Sequence, residues 1–231
     1  MPSKKAVILL SGGLDSAVTL FLAKAQGYDC HCLVFDYHQR HRREIESAEK
    51  IARIARCPLQ VVQISLAWGG SALLDKRIKL PRAANRKPIS IPRTYVPGRN
   101  IIFLSFAVSF AEAINAAAIF IGAHTEDYSG YPDCRPEFYD AFKKVISRGT
   151  KIGLRHKGPI IKTPLIRKSK ADIIRLGVKL GVPFELTWSC YAGGRKPCGK
   201  CDSCYYRIKG FRETGEPSPI NYERKNSRGF R

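Results

Sequence analysis

Short apolar runs alternate with amphipathic stretches along the first 65 residues of the chain. Residues 6–10 are five consecutive apolar side chains, the pattern of a strand that is buried on both faces. Similar patterns predict strands at 29–37 and 60–65, and the periodicity between them predicts helices at 14–26 and 42–56. Strands that alternate with helices in this way are typical of a parallel sheet with right-handed crossovers.

The rest of the chain is less regular. Residues 66–99 lack periodicity, and a loop of that length indicates a functional role. The elements expected after it are a helix that Asn100 caps and that runs to 115–117, a strand at 118–123, a short helix at 136–146 in an otherwise irregular stretch 124–166, and a helix at 170–180 that Ser169 caps. The predicted fold class is a doubly wound α/β domain with a mainly parallel sheet over 1–183, a small metal-binding extension over 184–216 and a basic, disordered tail over 217–231.

Basic residues outnumber acidic ones by about two to one. The 231 residues include 40 Lys and Arg against 19 Asp and Glu, a formal net charge of +21. This excess predicts an anionic partner, which is nucleic acid, a phosphorylated small molecule or an acidic membrane surface. The stretch 103–123 has the length of a bilayer span, but it contains Glu112 and Asn115 and is better divided into a helix and a strand. The apolar run before Ser11 is too short for a signal peptide, so we expect a cytoplasmic protein without a membrane span.

A glycine-rich turn, S-G-G-L-D-S, connects the first predicted strand to the first helix at residues 11–16. The free N–H groups and the positive dipole end of a helix favour a phosphate at this point. The two glycines let the backbone approach an anion closely, and the two serine hydroxyls can donate hydrogen bonds to it. Asp15 can hold the Mg²⁺ that accompanies a nucleotide. The alternative is a tight turn whose polar residues only cap the helix.

Four of the eight cysteines form a cluster near the C-terminus, with the spacing Cys190-x7-Cys198-x2-Cys201-x2-Cys204. Four thiolates close a tetrahedral site, which is the structural arrangement for zinc. An iron–sulfur cluster is the rival interpretation, because similar spacings occur in ferredoxins. Two disulfides are not expected in a reducing compartment, where clustered cysteines more often bind metal.

An acidic segment at 126–140 interrupts the basic sequence with five acids and one base, Arg135. A carboxylate that accepts two N–H groups suits the edge of a guanine-like ring, and tyrosine faces suit stacking on it. Asp133 and Tyr131 are therefore candidates for binding such a ring, and Arg135 for an anionic group on it. The alternative is a solvated acidic loop. Before the third predicted helix, Arg99 can reach a triphosphate or a substrate carboxylate with two hydrogen bonds.

The S-G-G-L-D-S turn resembles the fingerprint of pyrophosphate-loop ATPases of the adenine-nucleotide alpha-hydrolase type. Further segments, together with the cysteine cluster, resemble the 7-cyano-7-deazaguanine synthase family: V-P-G-R-N at 96–100, D-Y-S-G-Y-P-D-C-R-P-E-F at 127–138 and P-L-I-R-K-S-K at 164–170. The resemblance extends from the first strand to Cys204. It implies that ATP, ammonia and 7-carboxy-7-deazaguanine give 7-cyano-7-deazaguanine through an adenylated acid and an amide, in queuosine or archaeosine biosynthesis.

The resemblance also implies cofactors and residue roles. It favours structural zinc at the cysteines, Mg²⁺ with ATP, and a homodimer; free ammonia is the expected nitrogen donor, because no room remains for a glutaminase domain. His38 and His124 are candidates for taking a proton from ammonium. The catalytic candidates are Asp15, Arg99, Lys162 and Lys168. The residues expected beside ATP are Leu10, Ser11, Gly12, Gly13, Leu14, Asp15, Ser16, Val34, Phe35, Asp36, Gly122 and His124, and those expected beside the substrate are Arg99, Tyr131, Asp133 and Arg135.

A tRNA-modifying pyrophosphate-loop enzyme of the thiolation or lysidine type is the alternative function. The positive charge supports it, since residues 143–175 alone hold eleven bases and one acid. Thiolation requires reactive cysteines, however, and the four clustered thiols are assigned to metal. No RNA-binding domain is appended either, so direct RNA contact is left open and not favoured.

Overall fold

A parallel sheet of five strands forms the centre of the fold. The computed structural model describes residues 3–40, 42–81, 91–124 and 131–223. The strands are β1 Lys5–Leu9, β2 Asp29–Asp36, β3 Leu59–Gln63, β4 Ala118–Ile121 and β5 Ile160–Lys162. Their order in the sheet is β3-β2-β1-β4-β5, with every neighbouring pair parallel. The helices are α1 Leu14–Ala25, α2 Arg43–Ile54, α3 Arg99–Ala113, α4 Pro136–Gly149, α5 Lys151–Leu154, α6 Lys170–Lys179 and α7 Asp202–Thr214, with 3₁₀ turns at Pro132–Cys134 and Phe184–Leu186.

Helices cover both faces of the sheet, so the predicted doubly wound α/β class is confirmed. The side chains of β1 alternate between two cores: Ile8 packs with residues of α1, α2, α6 and α7, whereas Val7 and Leu9 pack with residues of α3 and α4. All three side chains are buried, as the apolar run predicts. Because β1 lies between β2 and β4, the loops that follow these strands meet at the carboxyl edge of the sheet, where open α/β sheets bind ligands.

The predicted elements of the first half are confirmed with shifts of a few residues at their ends. Ser169 caps α6 as predicted, since its hydroxyl oxygen accepts the N–H of Asp172 at 3.0 Å. Three of these helices and strands were not predicted. α5 has only four residues and β5 only three, both in a stretch expected to be irregular, and α7 lies where the cysteines dominated the pattern. A buried arginine and a buried glycine, Arg207 and Gly210, interrupt the apolar face of α7 and obscure its periodicity.

The prediction that Asn100 caps α3 is wrong. Gly98 precedes the helix with a left-handed φ of 64°, and Asn100 lies inside the first turn, where it is buried. The cap comes from a distant segment instead. The Asn100 N–H donates to a carboxylate oxygen of Asp133 at 3.3 Å, and the Asn100 side-chain amide donates to the Asp133 carbonyl at 3.1 Å. A polar residue near a helix start therefore indicated the correct helix but the wrong capping group.

Residues 184–216 pack on the sheet domain through α7. A Cβ on Gly210 would lie 2.6 Å from Cγ of Lys170 and 2.8 Å from Cδ1 of Ile174, both in α6, and Phe211 belongs to the core cluster that contains Ile174. Of the predicted disordered tail, Tyr222 packs against the cysteine cluster, and residues 224–231 lie outside the described residues. Within the described ranges, no helix is both long and apolar enough to cross a membrane.

Candidate nucleotide and substrate site

A cavity of about 280 Å³ opens at the carboxyl ends of β1, β2 and β4. We call it the central cavity. Its walls come from the 11–16 turn, the residues that follow β2 and β4, the first turns of α2 and α3, and the segment 188–191. The predicted site residues that line it are Leu10, Ser11, Gly13, Leu14, Asp15, Ser16, Val34, Phe35, Arg99, Gly122, His124 and Tyr131.

The 11–16 turn, which we call the phosphate loop, requires glycine at position 12. Gly12 has a φ of 79°, and a Cβ there would lie 2.1 Å from the carbonyl oxygen of Glu44 in α2. Inside the loop, the Ser16 hydroxyl donates to the Gly13 carbonyl at 3.0 Å and accepts the Ser11 N–H at 3.1 Å. Gly13 precedes α1 without a side-chain cap. The first N–H groups of α1 are therefore available to an anion at the cavity wall.

Asp15 forms a charged cluster with two residues that are distant in sequence. Lys170 Nζ lies 2.8 Å and 3.0 Å from the two Asp15 carboxylate oxygens, and His124 Nε2 lies 2.9 Å from Lys170 Nζ and 3.5 Å from Asp15. Burial alone would raise the pKa of the Asp15 carboxyl. The charges of Lys170 and His124 outweigh that effect, so the pKa lies below its usual range and Asp15 is ionised at neutral pH.

Lys170 was not among the predicted site residues. It lies in the P-L-I-R-K-S-K segment, and it faces Asp15 because it begins α6, which packs beside α1. Lys162 and Lys168, which were predicted, do not line the central cavity. Lys162 Nζ lies 5.0 Å from the ring centroid of Tyr28. The resemblance therefore indicated the correct segment, but sequence could not show which of its lysines reaches the loop.

A second cluster of polar side chains in the central cavity is centred on Arg99. Burial would lower the pKa of the Arg99 guanidinium, but Tyr37, Tyr131 and Asp133 raise it, and Arg99 stays charged. The Tyr131 hydroxyl lies 2.6 Å from the Thr94 hydroxyl, which fixes the position of the ring. A half-buried cation beside two phenols can bind a carboxylate or a phosphate.

The remaining predicted substrate residues lie behind or outside the cavity wall. Asp133 is buried and holds the start of α3, as described above. Arg135 is exposed at the start of α4. Residues 125–130 of the acidic segment lie outside the described residues, so the predicted acids at 126 and 127 have no described position.

Two predicted neighbours of ATP and one candidate base also lie outside the cavity lining. Gly12 forms the back of the loop. Asp36 is buried, accepts the His38 N–H at 3.3 Å and lies 3.8 Å from Arg42. His38 is exposed, with a φ of 57°. Of the two candidate bases, His124 is the one that the structure brings to the cavity.

The four clustered cysteines converge on one point. Their sulfur atoms all lie within 4.8 Å of one another, and three of the four residues are buried. Main-chain N–H groups of Cys198 and Ala192 donate to Cys190 Sγ at 3.3 Å and 3.4 Å, an arrangement that stabilises thiolates. The donor set and its spacing fit a four-coordinate metal ion with sulfur ligands.

The cysteine extension also forms one wall of the central cavity. The main-chain N–H of Trp188 donates to the carbonyl oxygen of Gly12 at 2.9 Å. Trp188, Ser189 and Tyr191 line the cavity. Arg207 of α7 holds this segment from behind, donating to the Thr187 hydroxyl at 2.6 Å and to the Phe184 carbonyl at 2.8 Å. Sequence reasoning did not find the role of Trp188, because nothing in the spacing relates residue 188 to the phosphate loop.

The fold and the loop define a class, the pyrophosphate-loop α/β proteins. Among solved structures, NMN synthetase from Francisella tularensis matches with a TM-score of 0.51 at 17% identity, over 94% of this chain and 79% of that one. A 4-thiouridine synthetase in an RNA complex with bound ATP matches with a TM-score of 0.51 at 18% identity, over 95% of this chain and 47% of that one. At such identities, the likeness concerns the fold alone.

The chain belongs to the family described as queuosine biosynthesis protein QueC, which matches residues 5–215. A protein named 7-cyano-7-deazaguanine synthase from Thermoplasma acidophilum is 52% identical over 97% of this chain and 94% of its own length. Proteins of the same name from Trichodesmium erythraeum and Nostoc punctiforme are 52% and 53% identical, each over 94% of this chain and 99% of their own length. The family resemblance read from the motifs is confirmed.

Proposed function

We propose that this protein converts 7-carboxy-7-deazaguanine and ammonia to 7-cyano-7-deazaguanine at the expense of ATP, in queuosine or archaeosine biosynthesis. The observation that carries the proposal is the match to relatives of that name at about half identity along nearly the whole chain. The central cavity supports it, because the phosphate loop and a half-buried arginine with two phenols line the same space.

The reaction requires the carboxyl oxygen to become a leaving group. The substrate carboxylate attacks the α-phosphorus of ATP, and pyrophosphate leaves. Ammonia then forms a C–N bond at the acyl carbon, and AMP departs with the electron pair of the broken C–O bond. The amide oxygen then attacks the α-phosphorus of a second ATP, and pyrophosphate leaves. The nitrogen loses two protons, and the C–O bond breaks with its electron pair going to AMP, which carries the oxygen away and leaves the nitrile. No protein nucleophile is needed, so positioning and electrostatic stabilisation account for the rate.

We assign the phosphate loop to the ATP phosphates and Arg99 with Tyr131 to the carboxylated base. Asp15 is the residue that would hold Mg²⁺, which neutralises polyphosphate charge when it is bound. Lys170 also lies outside the cavity lining, but it is better placed than Lys162 or Lys168 to act on the phosphates, because it contacts Asp15 of the phosphate loop directly. Asp133 acts as a positioning residue, since it holds the turn of α3 from which Arg99 projects.

Further proposals concern the metal, the assembly and the compartment. We assign structural zinc to the four cysteines, because four sulfur ligands complete the tetrahedral coordination of the ion and leave no position for substrate. We propose a homodimer that uses α3, because this helix leaves the large apolar side chains of Ile101 and Phe106 at the surface. A reducing cytoplasm suits the eight free thiols.

ATP–pyrophosphate exchange that depends on 7-carboxy-7-deazaguanine, without RNA, tests the function directly. We expect exchange with the carboxylated base alone, and a nitrile product by mass spectrometry once ammonium is added. Ammonium and not glutamine is expected to support turnover. No exchange until tRNA is added would favour the tRNA-modifying alternative, which the family match does not favour.

A further inference from the structure

The central cavity contains a carboxyl group to which the assignments above give no role. Of the described residues that line it, two carry carboxyl groups, Asp15 and Glu44. The first turn of α2 lies against the phosphate loop, because the Glu44 carbonyl oxygen lies 2.1 Å from where a Cβ of Gly12 would be. Glu44 is itself one of the residues that line the cavity, so it lies there beside the phosphate loop.

We propose that Glu44 forms the ammonium subsite and is the base that releases ammonia for attack on the activated carboxyl group. The inference rests on the proposed function. An ionised Glu44 oxygen accepts one proton from ammonium, which leaves ammonia with a free electron pair. That pair forms the C–N bond, the C–O bond to AMP breaks with its pair going to AMP, and the new nitrogen gives its extra proton to solvent.

The surroundings of Glu44 suit a base that works near neutral pH. Burial raises the pKa of the Glu44 carboxyl, the Arg99 charge lowers it and Cys190 raises it, with a resulting pKa of about 7. The carboxylate is therefore present above about pH 7 and is lost as the pH falls. Among the described residues, the other ionisable groups that line the cavity or act on Glu44 are Asp15, Tyr37, Arg40, Arg99, His124, Tyr131, Cys134, Tyr191 and Cys190.

The other candidate bases are less suited. Asp15 is held ionised by Lys170 and is a weak base, because its pKa is depressed. His124 Nε2 is occupied with Lys170 and Asp15. His38 is exposed and lies outside the cavity lining. Glu44 lies at the cavity wall, and its carboxylate can accept a proton near neutral pH.

Glu44→Gln tests the inference, with Glu49→Gln as the matched control on an exposed face of the same helix. In Glu44→Gln we expect base-dependent ATP–pyrophosphate exchange to stay within about threefold of wild type. We expect kcat/KM for ammonium to fall by about 100-fold or more at pH 7. The deficit should narrow as the pH rises and free ammonia accumulates. Hydroxylamine, which is uncharged at neutral pH, should restore most of the rate and give a hydroxamate. Glu49→Gln should behave as wild type throughout.

Two results would overturn the inference: an unchanged kcat/KM and pH profile for ammonium, or an equal loss of exchange and of the ammonium step. If Glu44→Gln does not fold, Glu44→Asp replaces it. In Glu44→Asp, the carboxylate on a shorter side chain should lower kcat/KM for ammonium but keep the wild-type fall of that rate at low pH. An unaltered kcat/KM for ammonium in Glu44→Asp would count against the subsite. Failure of the wild-type protein to exchange pyrophosphate would instead contradict the proposed function, so the two failures are distinguishable.

Discussion

At the scale of single residues, Gly12 is constrained both by its backbone conformation and by the lack of space for a side chain. Its φ of 79° is strained for any L side chain, and its Cα faces the α2 backbone at a distance that excludes a Cβ. Gly27 has the same φ of 79°, but nothing lies within 4 Å of a Cβ built there. Comparing the same substitution at Gly12 and at Gly27 therefore distinguishes the cost of backbone strain from the cost of steric exclusion at the phosphate loop.

We expect Gly27→Ala to cost about 1 kcal/mol of unfolding free energy, because only the left-handed conformation is penalised. Gly12→Ala should cost more and should also abolish nucleotide binding, since the loop must move away from α2. Urea unfolding and calorimetric titration with ATP would measure both effects. Equal losses of stability, with ATP binding intact in Gly12→Ala, would contradict the packing explanation.

The Asp15–Lys170 pair predicts a specific pH dependence. The pKa of Asp15 is depressed in the folded state, so its contribution is present above the unfolded pKa, about 3.9, and is lost as the pH falls through the lower folded value. At pH 7, Asp15→Asn should lower the free energy of unfolding by about 1–3 kcal/mol, because Lys170 keeps a partly buried charge without that partner. The difference should shrink below about pH 4.

Urea unfolding of both proteins between pH 3 and 7 would measure this difference. Asp140→Asn is the control, because the ion pair of Asp140 with Lys143 is exposed and contributes little. A difference that stays constant down to the lowest pH would contradict the depressed pKa of Asp15.

At the scale of elements, the segment between α6 and α7 connects the cysteine cluster to the phosphate loop. Trp188 donates to Gly12, and the same segment continues into Cys190. Removal of the proposed zinc should therefore loosen the cavity wall as well as the extension. Sequence placed the cysteines and the phosphate loop in separate regions, and it gave no indication of this contact.

We expect a chelator that removes the metal to weaken ATP binding by at least about tenfold and to change Trp188 fluorescence. The measurement uses Trp68→Phe protein, so that Trp188 is the remaining tryptophan. Added zinc should restore both signals. Unchanged ATP affinity after verified metal release would show that the extension and the loop are independent.

Elements with a strong local pattern were predictable, and those defined by distant partners were not. β1 and α1 follow from an apolar run and a glycine-rich turn, which act locally. β5 is a strand because Ile160 and Ile161 pair with β4, some forty residues earlier. Glu44 and Lys170 belong to the site for the same reason, since each reaches the loop only after the sheet has assembled. The cysteine cluster was predictable because its spacing is short.

At the scale of the whole molecule, α3 predicts how two copies would associate. Ile101 is 49% exposed, although α3 otherwise packs in the core. In the proposed dimer, Ile101→Lys should shift sedimentation from dimer toward monomer. Val145→Lys, at a residue of α4 that is 58% exposed, should not. A wild-type protein that sediments as a monomer at micromolar concentration would contradict the proposal.

The central position of β1 has a consequence for how the chain acquires its activity during synthesis. β1 pairs with β4, more than a hundred residues later, and the loop that follows β1 receives its last main-chain contact from Trp188. Contacts of such long range form slowly, because their loop-closure entropy is lost before they stabilise the fold. A nascent chain on the ribosome therefore cannot complete its ATP site until residue 188 has emerged. Nucleotide binding thus reports on completed folding and not on the presence of the S-G-G-L-D-S motif.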